Sequence, residues 1–404
     1  FGPAYPGGLF RLRAGMTGGE AERNAQLAAI AQGLGLEVEG GGPTQVEERL
    51  AAWLRKMERP YLWIVDDLPA QADAALLAAW QAPSGNGHTL VTTPGQGLTG
   101  RGTAVAPGRL GVTQAYALLT AARPPADGAE ARTARRIVKA LGGHALAVAV
   151  AAEMVPDMGF GRLLAALGVP DAAVLAFAET LTGEVPSGAE SGVAAILLMA
   201  VGRLDMATVD LLRLASLLAD APIPQDLIGE VFAALAEDGE DAGHRRAQWT
   251  IARAVAQGLA QDRHGEMVRV HPLVLRAMRR LETGPERREV LRRAAQVALE
   301  AVLGDGEMPA VTAHLWVAHA HALAGAESEA ENALALLLAI GRHHYGRRDY
   351  TAAAAVSRQA LEAGNRILGE DHPAVCAAQE QLGLALHGLG QTAAARRLHE
   401  RVLA

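Results

Sequence analysis

Asp66 and Asp67 stand side by side at the end of an unbroken apolar run, Tyr61-Leu62-Trp63-Ile64-Val65, and Pro69 closes the stretch. Five bulky apolar residues without alternation read as a strand buried on both faces of a parallel sheet. In open α/β sheets the carboxyl end of such a strand is where ligands bind. Two carboxylates there suit a magnesium ion carrying nucleotide phosphates, because that ion takes oxygen ligands and keeps several waters. Taken alone, the pair fits equally well as solvated residues closing a buried strand.

The elements around this run must position the acids. Leu9–Leu12 is a short strand candidate after the turn signal Tyr5-Pro6-Gly7-Gly8. Residues 19–35 carry Leu27, Ile30 and Leu34 at helical spacing, and Gly40-Gly41-Gly42-Pro43 breaks the chain. Thr44, with Glu47 three residues on, predicts a capped helix through Arg55. A helix over 70–80 and a strand over 88–93, ending at Pro94-Gly95, come after the central run. Strand and helix in this alternation predict the front of a parallel α/β sheet. Thr92 and Thr93 fit that last strand as β-branched residues.

Beyond Val112 the pattern is helical, over 112–122, 129–141, 144–155 and then 193–235, with Ala221-Pro222-Ile223-Pro224 interrupting. Residues 249–259 read as helix and Met267–Val270 as a short extended arm before His271-Pro272, which suits a winged-helix domain. An internal repeat appears at an offset of 42 residues: Gly341 matches Gly383, Gly346 matches Gly388, Ala353 matches Ala395, and Leu361 matches Leu403. Gly346 is expected to end one helix, Asp349 to cap the next, and Pro373 to open the one after. Such units stack because none buries its apolar face alone.

Composition narrows the class. Half the 404 residues are hydrophobic and only 4% aromatic, which favours helices packed through small residues over a β-sandwich. Net charge is −7, so the chain carries no overall footprint for nucleic acid or an anionic membrane. Arg279-Arg280, Arg287-Arg288 and Arg292-Arg293 are interleaved with Glu282, Glu286 and Glu289, a solvated, salt-bridged helix face rather than a nucleic-acid patch. Cys376 is the sole cysteine, which excludes an internal disulfide and fits a reducing cytoplasm. No apolar run reaches a membrane-spanning length. His314 and His321 lie two helical turns apart, too far to share one ion, and no metal site is expected from them or from His319, His343 and His344.

Several of these segments together resemble the NB-ARC branch of the STAND nucleotide-switch ATPases, joined to tetratricopeptide repeats. Tyr5-Pro6-Gly7-Gly8-Leu9-Phe10 looks like the strand after the phosphate-loop helix, and Ile64-Val65-Asp66-Asp67 resembles the Walker B segment. The resemblance implies that Asp66 holds magnesium, often through water, and that Asp67 acts in hydrolysis. Leu90-Val91-Thr92-Thr93 resembles the sensor strand, with Pro94 where the family carries arginine. Leu141-Gly142-Gly143-His144-Ala145-Leu146-Ala147 resembles the Gly-Leu-Pro-Leu-Ala segment beside adenine, with Ala145 in place of the proline. Val270-His271-Pro272 resembles the winged-helix motif whose histidine touches the β-phosphate of ADP. Gly369-Glu370-Asp371-His372-Pro373 resembles the long-period repeats of kinesin light chains. No Gly-Lys pair exists, so the Walker A loop is absent, and the chain reads as a fragment whose loop lies upstream of Phe1.

The reading is therefore a mainly α protein with an α/β parallel-sheet N-terminal part. Its expected divisions are the nucleotide-domain remnant at 1–108, a helical domain at 109–180, a winged helix at 181–284, a helical linker at 285–335 and tetratricopeptide repeats at 336–404. The resemblance implies ADP or ATP with Mg2+, bound by Asp66, Asp67, Thr92, Thr93, Gly143, His144, Ala145 and His271. It also implies a slow ATPase, a protein or peptide ligand on the repeats, homo-oligomerisation on activation, and no direct membrane or nucleic-acid partner. Two other readings stay open: a nucleotide-free repeat scaffold, and a transcriptional activator with a DNA-binding domain upstream.

Overall fold

A computed structural model describes residues 2–14, 20–36, 43–69, 71–93, 98, 101–105, 108–168, 170–263, 266–281, 284–305, 310–325 and 330–402. Pro94, Gly95, the Gly40-Gly41-Gly42 break, Glu282 and Leu403 lie outside these residues. The fold is mainly helical with a small parallel sheet at its N-terminal end. It divides into two compact units, Phe1–Ala106 with Asp305–Val317, and Pro107–Gly304 with Ala318–Ala404.

In the first unit, strands β1 (Leu9–Arg13), β2 (Tyr61–Asp66) and β3 (Gly87–Val91) form a parallel sheet in the order β1-β2-β3. Helices α1 (Glu20–Gly33) and α2 (Pro43–Lys56) connect the first pair, and α3 (Ala74–Trp80) the second. The register sets Arg13 opposite Asp66 and Val65 opposite Val91. Tyr61, Trp63 and Trp80 are buried almost completely, and the Trp63 indole N–H donates to the Trp80 carbonyl at 3.0 Å. A buried tryptophan contributes about 3–5 kcal/mol over alanine, so this centre anchors the sheet. Gly87 must be glycine: a Cβ there would lie 2.4 Å from the Tyr61 ring.

Three boundaries depart from the sequence reading, each for a local reason. Helix α3 starts at Ala74 because Asp73 caps it, its Oδ1 accepting from the Leu76 N–H at 2.8 Å. Helix α2 begins at Pro43, which leaves Thr44 inside it, and Glu47 pairs with Arg23 instead of closing a capping box. Strand β3 ends at Val91 because its partner β2 leaves the extended conformation at Asp67, φ 58°.

The second unit begins with α4 (Val112–Leu119), α5 (Gly128–Ala140), α6 (Ala145–Leu167) and α7 (Ala172–Glu179). Gly159 kinks α6, and Gly142 and Gly143, both with positive φ, separate it from α5. Then come α8 (Glu190–Gly202), α9 (Met206–Leu217), β4 (Ile223–Pro224), α10 (Gln225–Ala234), α11 (Glu240–Ala256), β5 (Ala260–Arg263), β6 (Met267–Val270) and α12 (Pro272–Leu281). Strands β4, β6 and β5 make an antiparallel sheet with β6 central, and α10 and α11 pack against β4 and β5. Helix α11 starts nine residues before the expected Trp249, after Gly239 turns the chain at φ 98°. Among the described residues no single helix is long and apolar enough to cross a membrane, although the bent pair α6 and α7 passes on length and composition. The apolar side chains of α6 are largely buried within the protein.

Helices α13 (Pro285–Asp305), α14 (Ala310–Gly325), α15 (Ala330–Gly346), α16 (Tyr350–Ile367), α17 (Pro373–Gly388) and α18 (Thr392–Val402) complete the chain. The arginine-rich face on α12 and α13 is only partly solvated. Glu289 pairs with Arg292 at 2.6 Å and Arg293 at 2.8 Å, yet Arg292 is buried and Arg287 reaches the buried Asp210 at 2.7 Å. The last four helices pack as successive hairpins. Asp349 caps α16 and Pro373 opens α17, as the repeat predicts. A Cβ on Gly388 would lie 2.5 Å from the Tyr350 ring, and one on Gly341 would lie 2.7 Å from Gln381. Gly388→Ala is therefore expected to loosen the α16–α17 contact by about 1–3 kcal/mol. Thermal or urea unfolding of the variant measures this, and an unchanged midpoint would contradict the close approach.

Candidate functional site

At the carboxyl end of the parallel sheet, the backbone leaves β2 through Asp67, which adopts φ 58°. That left-handed conformation is uncommon for a residue other than glycine and needs surrounding support. Thr92 supplies it: the Asp67 N–H donates to the Thr92 hydroxyl at 2.9 Å, and that hydroxyl donates to Asp66 Oδ1 at 2.6 Å. The Leu68 N–H reaches the Thr92 carbonyl at 2.8 Å, and the Thr92 N–H the Val65 carbonyl at 2.9 Å. The hydroxyl of Thr93 lies 3.4 Å from the Pro69 carbonyl, outside the acidic pair.

Both acids are also ion-paired to β1. Arg11 contacts Asp66 Oδ2, while Arg13 places Nε at 2.9 Å and Nη2 at 2.8 Å from Asp67 Oδ2. The backbone of Arg13 is gripped by Gln26 on α1, which accepts from its N–H at 2.7 Å and donates to its carbonyl at 2.7 Å. These arginines are functional neighbours that the sequence reading passed over. Their signal was the alternation Arg11-Leu12-Arg13, which puts both guanidiniums on one face of a strand running parallel to β2.

The fit to magnesium rests on this arrangement. The Thr92 hydroxyl and Arg11 both engage the Asp66 carboxylate. Direct coordination would compete with the arginine, whereas a hydrated ion could reach Asp66 through its waters. Asp66 thus fits an outer-sphere role. Among the described residues, no group of three or more His, Cys, Asp or Glu side chains is arranged to hold a metal ion by itself.

The remaining candidates belong to the second unit. Gly142 and Gly143 carry φ 58° and 71°, and a Cβ on Gly143 would lie 2.4 Å from the Leu110 carbonyl oxygen. The Gly143 carbonyl accepts from the Leu110 N–H at 2.9 Å, so the glycine pair turns the chain against the segment before α4. His144 comes next as the N-cap of α6, its Nδ1 accepting from the Ala147 N–H at 3.4 Å, and Ala145 is the exposed first residue of that helix. His271 does the same for α12, its Nδ1 accepting from the Leu273 N–H at 3.2 Å.

A backbone N–H can only donate, so in both neutral rings the proton sits on Nε2. Two imidazoles thus offer Nε2–H donors beside helix N-termini, whose dipoles favour an anion. They are close enough to interact. Burial first, and then the charges of His144 and Arg269, push the His271 pKa down to about 4. Burial alone lowers that of His144. The structure therefore gathers Gly143, His144, Ala145 and His271 in one unit, and Asp66, Asp67, Thr92 and Thr93 in the other.

Comparison with known proteins adds to this geometry. A tetratricopeptide-repeat family model matches residues 331–404. By sequence, no curated protein matches the chain. Among solved structures, the crystal structure of a signal transduction ATPase with numerous domains (STAND) protein, with a tetratricopeptide repeat sensor, from Pyrococcus horikoshii aligns with 99% of this chain at a TM-score of 0.55. This chain shares the fold of that protein along the alignment. Identity over the alignment is 17%, and this chain spans 59% of that protein's length.

Two outcomes test the site. Thr92→Val removes the hydroxyl that serves Asp66 and the Asp67 N–H, and is expected to destabilise the first unit by about 1–3 kcal/mol; unchanged unfolding would contradict the relay. For His271, folding lowers the pKa from 6.5 to about 4, so the unfolded chain binds more protons between those values. Its contribution to stability is complete above pH 6.5 and is lost as pH falls toward 4. Solvent reaches the residue and screens its charge, which reduces the size of this effect and leaves its sign unchanged. NMR titration of the ring should give a midpoint well below 6.5, and His144→Asn should raise it.

Proposed function

We propose that this chain is the switch and sensor portion of a STAND-type, NB-ARC nucleotide-dependent signalling protein. The single observation carrying the reading is the acidic end of the central parallel strand, Asp66 and Asp67 locked by Thr92, in a fold shared with a STAND protein. In this reading residues 1–108 are the remnant of a nucleotide domain, and residues 109–180 form a helical domain. Residues 181–284 are a winged helix, 285–335 a linker and 336–404 the repeats. The protein works in the cytoplasm, consistent with one unpaired cysteine.

Each residue then has a task. Magnesium, when bound with ADP or ATP, would supply neutralisation of phosphate charge, and Asp66 would hold its waters. Asp67 orients a water for slow hydrolysis, held in place by Arg13 and by its unusual backbone conformation. Thr92 keeps Asp66 fixed, and Thr93 continues the sensor segment. Gly143, His144 and Ala145 form a turn for the base side of the nucleotide. His271 would offer its Nε2–H to a phosphate oxygen. A protein or peptide on the repeats shifts the balance toward an open, oligomerising form only by binding that form more tightly.

A nucleotide-free repeat scaffold is a second reading. The observation in its favour is that Arg11 and Arg13 already compensate both acids. One experiment separates the two. The full-length protein is purified gently and denatured, and the released nucleotide is quantified by chromatography. The switch reading expects close to one ADP or ATP per chain, with clear loss in Asp66→Ala and in His271→Ala. Nucleotide-free protein would support the scaffold, and undiminished nucleotide in both variants would remove Asp66 and His271 from the binding site.

A further inference from the structure

The second unit holds a cavity of about 220 Å³ where α9, α10, α11 and α13 meet. Met206, Phe232, Leu235 and Leu291 give it an apolar wall, and Arg246 and Arg287 contribute guanidiniums. The carboxylate in its lining, Asp210, is buried and already engaged at both oxygens. Arg213 Nη1 lies 3.0 Å from its Oδ1, and Arg287 Nε and Nη2 lie 2.9 and 2.7 Å from its Oδ2. Asp210 is therefore committed to joining α9 to α13 and does not balance Arg246. Among the described residues, Arg246 forms its ion pair with the exposed Asp238, at 3.3 Å from Nη2. Contacts of that length at a half-exposed pair hold weakly.

The lining thus combines an apolar interior with a surplus of positive charge, two guanidiniums against one spent carboxylate. Water satisfies such charges but not the wall, and an apolar molecule satisfies the wall but not the charges. A molecule with an apolar body and one negative end does both, because guanidinium binds carboxylate through paired, charge-assisted hydrogen bonds. The volume lies below the roughly 300–1,000 Å³ of drug-sized sites, which limits the body to a short branched chain or a single ring. We propose that this cavity binds a small monocarboxylic acid of that kind, with Arg246 as its principal anchor and Arg287 as the second. Because Arg246 is on α11 and Arg287 on α13, the occupant would bridge those two helices. The site is independent of the nucleotide reading and would add a second, small-molecule input.

The test uses the full chain with 4-methylvalerate and 3-phenylpropionate as probes and their neutral amides as controls, at matched ionic strength. The acids are expected to raise the thermal midpoint in a saturable manner and to show saturation-transfer NMR signals, while the amides do neither. Arg246→Gln should keep the ligand-free midpoint and weaken acid binding about tenfold, the loss expected for one charge-assisted contact. Equal effects of acids and amides, an Arg246→Gln variant that binds as well as the parent, or no saturable binding of either acid would each overturn the proposal. Nucleotide content, measured on the same samples, should not change in Arg246→Gln, so this test and the nucleotide test fail separately.

Discussion

The hydroxyl of Thr92 sits between two groups that could not otherwise coexist at the end of β2. Asp67 turns through a left-handed backbone conformation that few residues other than glycine adopt, and its N–H, pointing out of the ladder, needs an acceptor. Asp66 needs a donor that keeps its carboxylate in one rotamer. One oxygen answers both, accepting from the first and donating to the second. The turn that aims the acids away from the sheet depends on that exchange, and so does any chemistry assigned to them.

The arginines of β1 give this end of the sheet its electrostatic character. Parallel pairing puts Arg13 opposite Asp66, while the side chain of Arg13 reaches across to Asp67 and Arg11 takes Asp66. Charge is thereby balanced within two strands, and Gln26 holds the strand that supplies the arginines. A hydrated ion fits this balance better than a bare one, since direct coordination would displace a guanidinium. In the second unit the corresponding logic uses neutral groups. His144 and His271 each give one ring nitrogen to a helix N-terminus, which fixes the proton on the other. Burial and mutual charge then hold His271 neutral to a pH near 4, and a neutral Nε2–H is a donor that does not itself depend on pH over the physiological range.

The two units differ in how they achieve rigidity. The first concentrates large aromatics, Tyr61, Trp63 and Trp80, around a three-stranded sheet. The repeats use the reverse approach, with glycines at close contacts so that neighbouring side chains pack against bare backbone, as Tyr350 does at Gly388 and Gln381 at Gly341. Between these extremes, α9 and α13 are joined by a buried carboxylate carrying two arginines. A buried acid with one partner removed is costly, so that joint resists partial separation.

Much of the architecture was legible before any coordinates. The unbroken apolar run at Tyr61–Val65 reads as a central parallel strand because a strand covered on both faces has no reason to alternate, and the 42-residue echo reads as stacked hairpins because each must place small residues at the same contacts. Caps at Asp349 and Pro373 are local chemistry and were visible for that reason. Pairing across distance was beyond the reach of sequence. Arg11 and Arg13 are separated from their acids by more than fifty residues, Arg287 from Asp210 by 77, and no periodicity links them. Glu47 shows the cost of reading locally: its spacing from Thr44 fits a capping box, yet Arg23 on a neighbouring helix takes it because a guanidinium binds a carboxylate more strongly than a backbone amide does. The sequence by itself determined which residues could carry charge, cap a helix or fill a core. Only the tertiary structure decided which charges meet, because ion pairing depends on separation in space, and folding sets that separation without regard to distance along the chain.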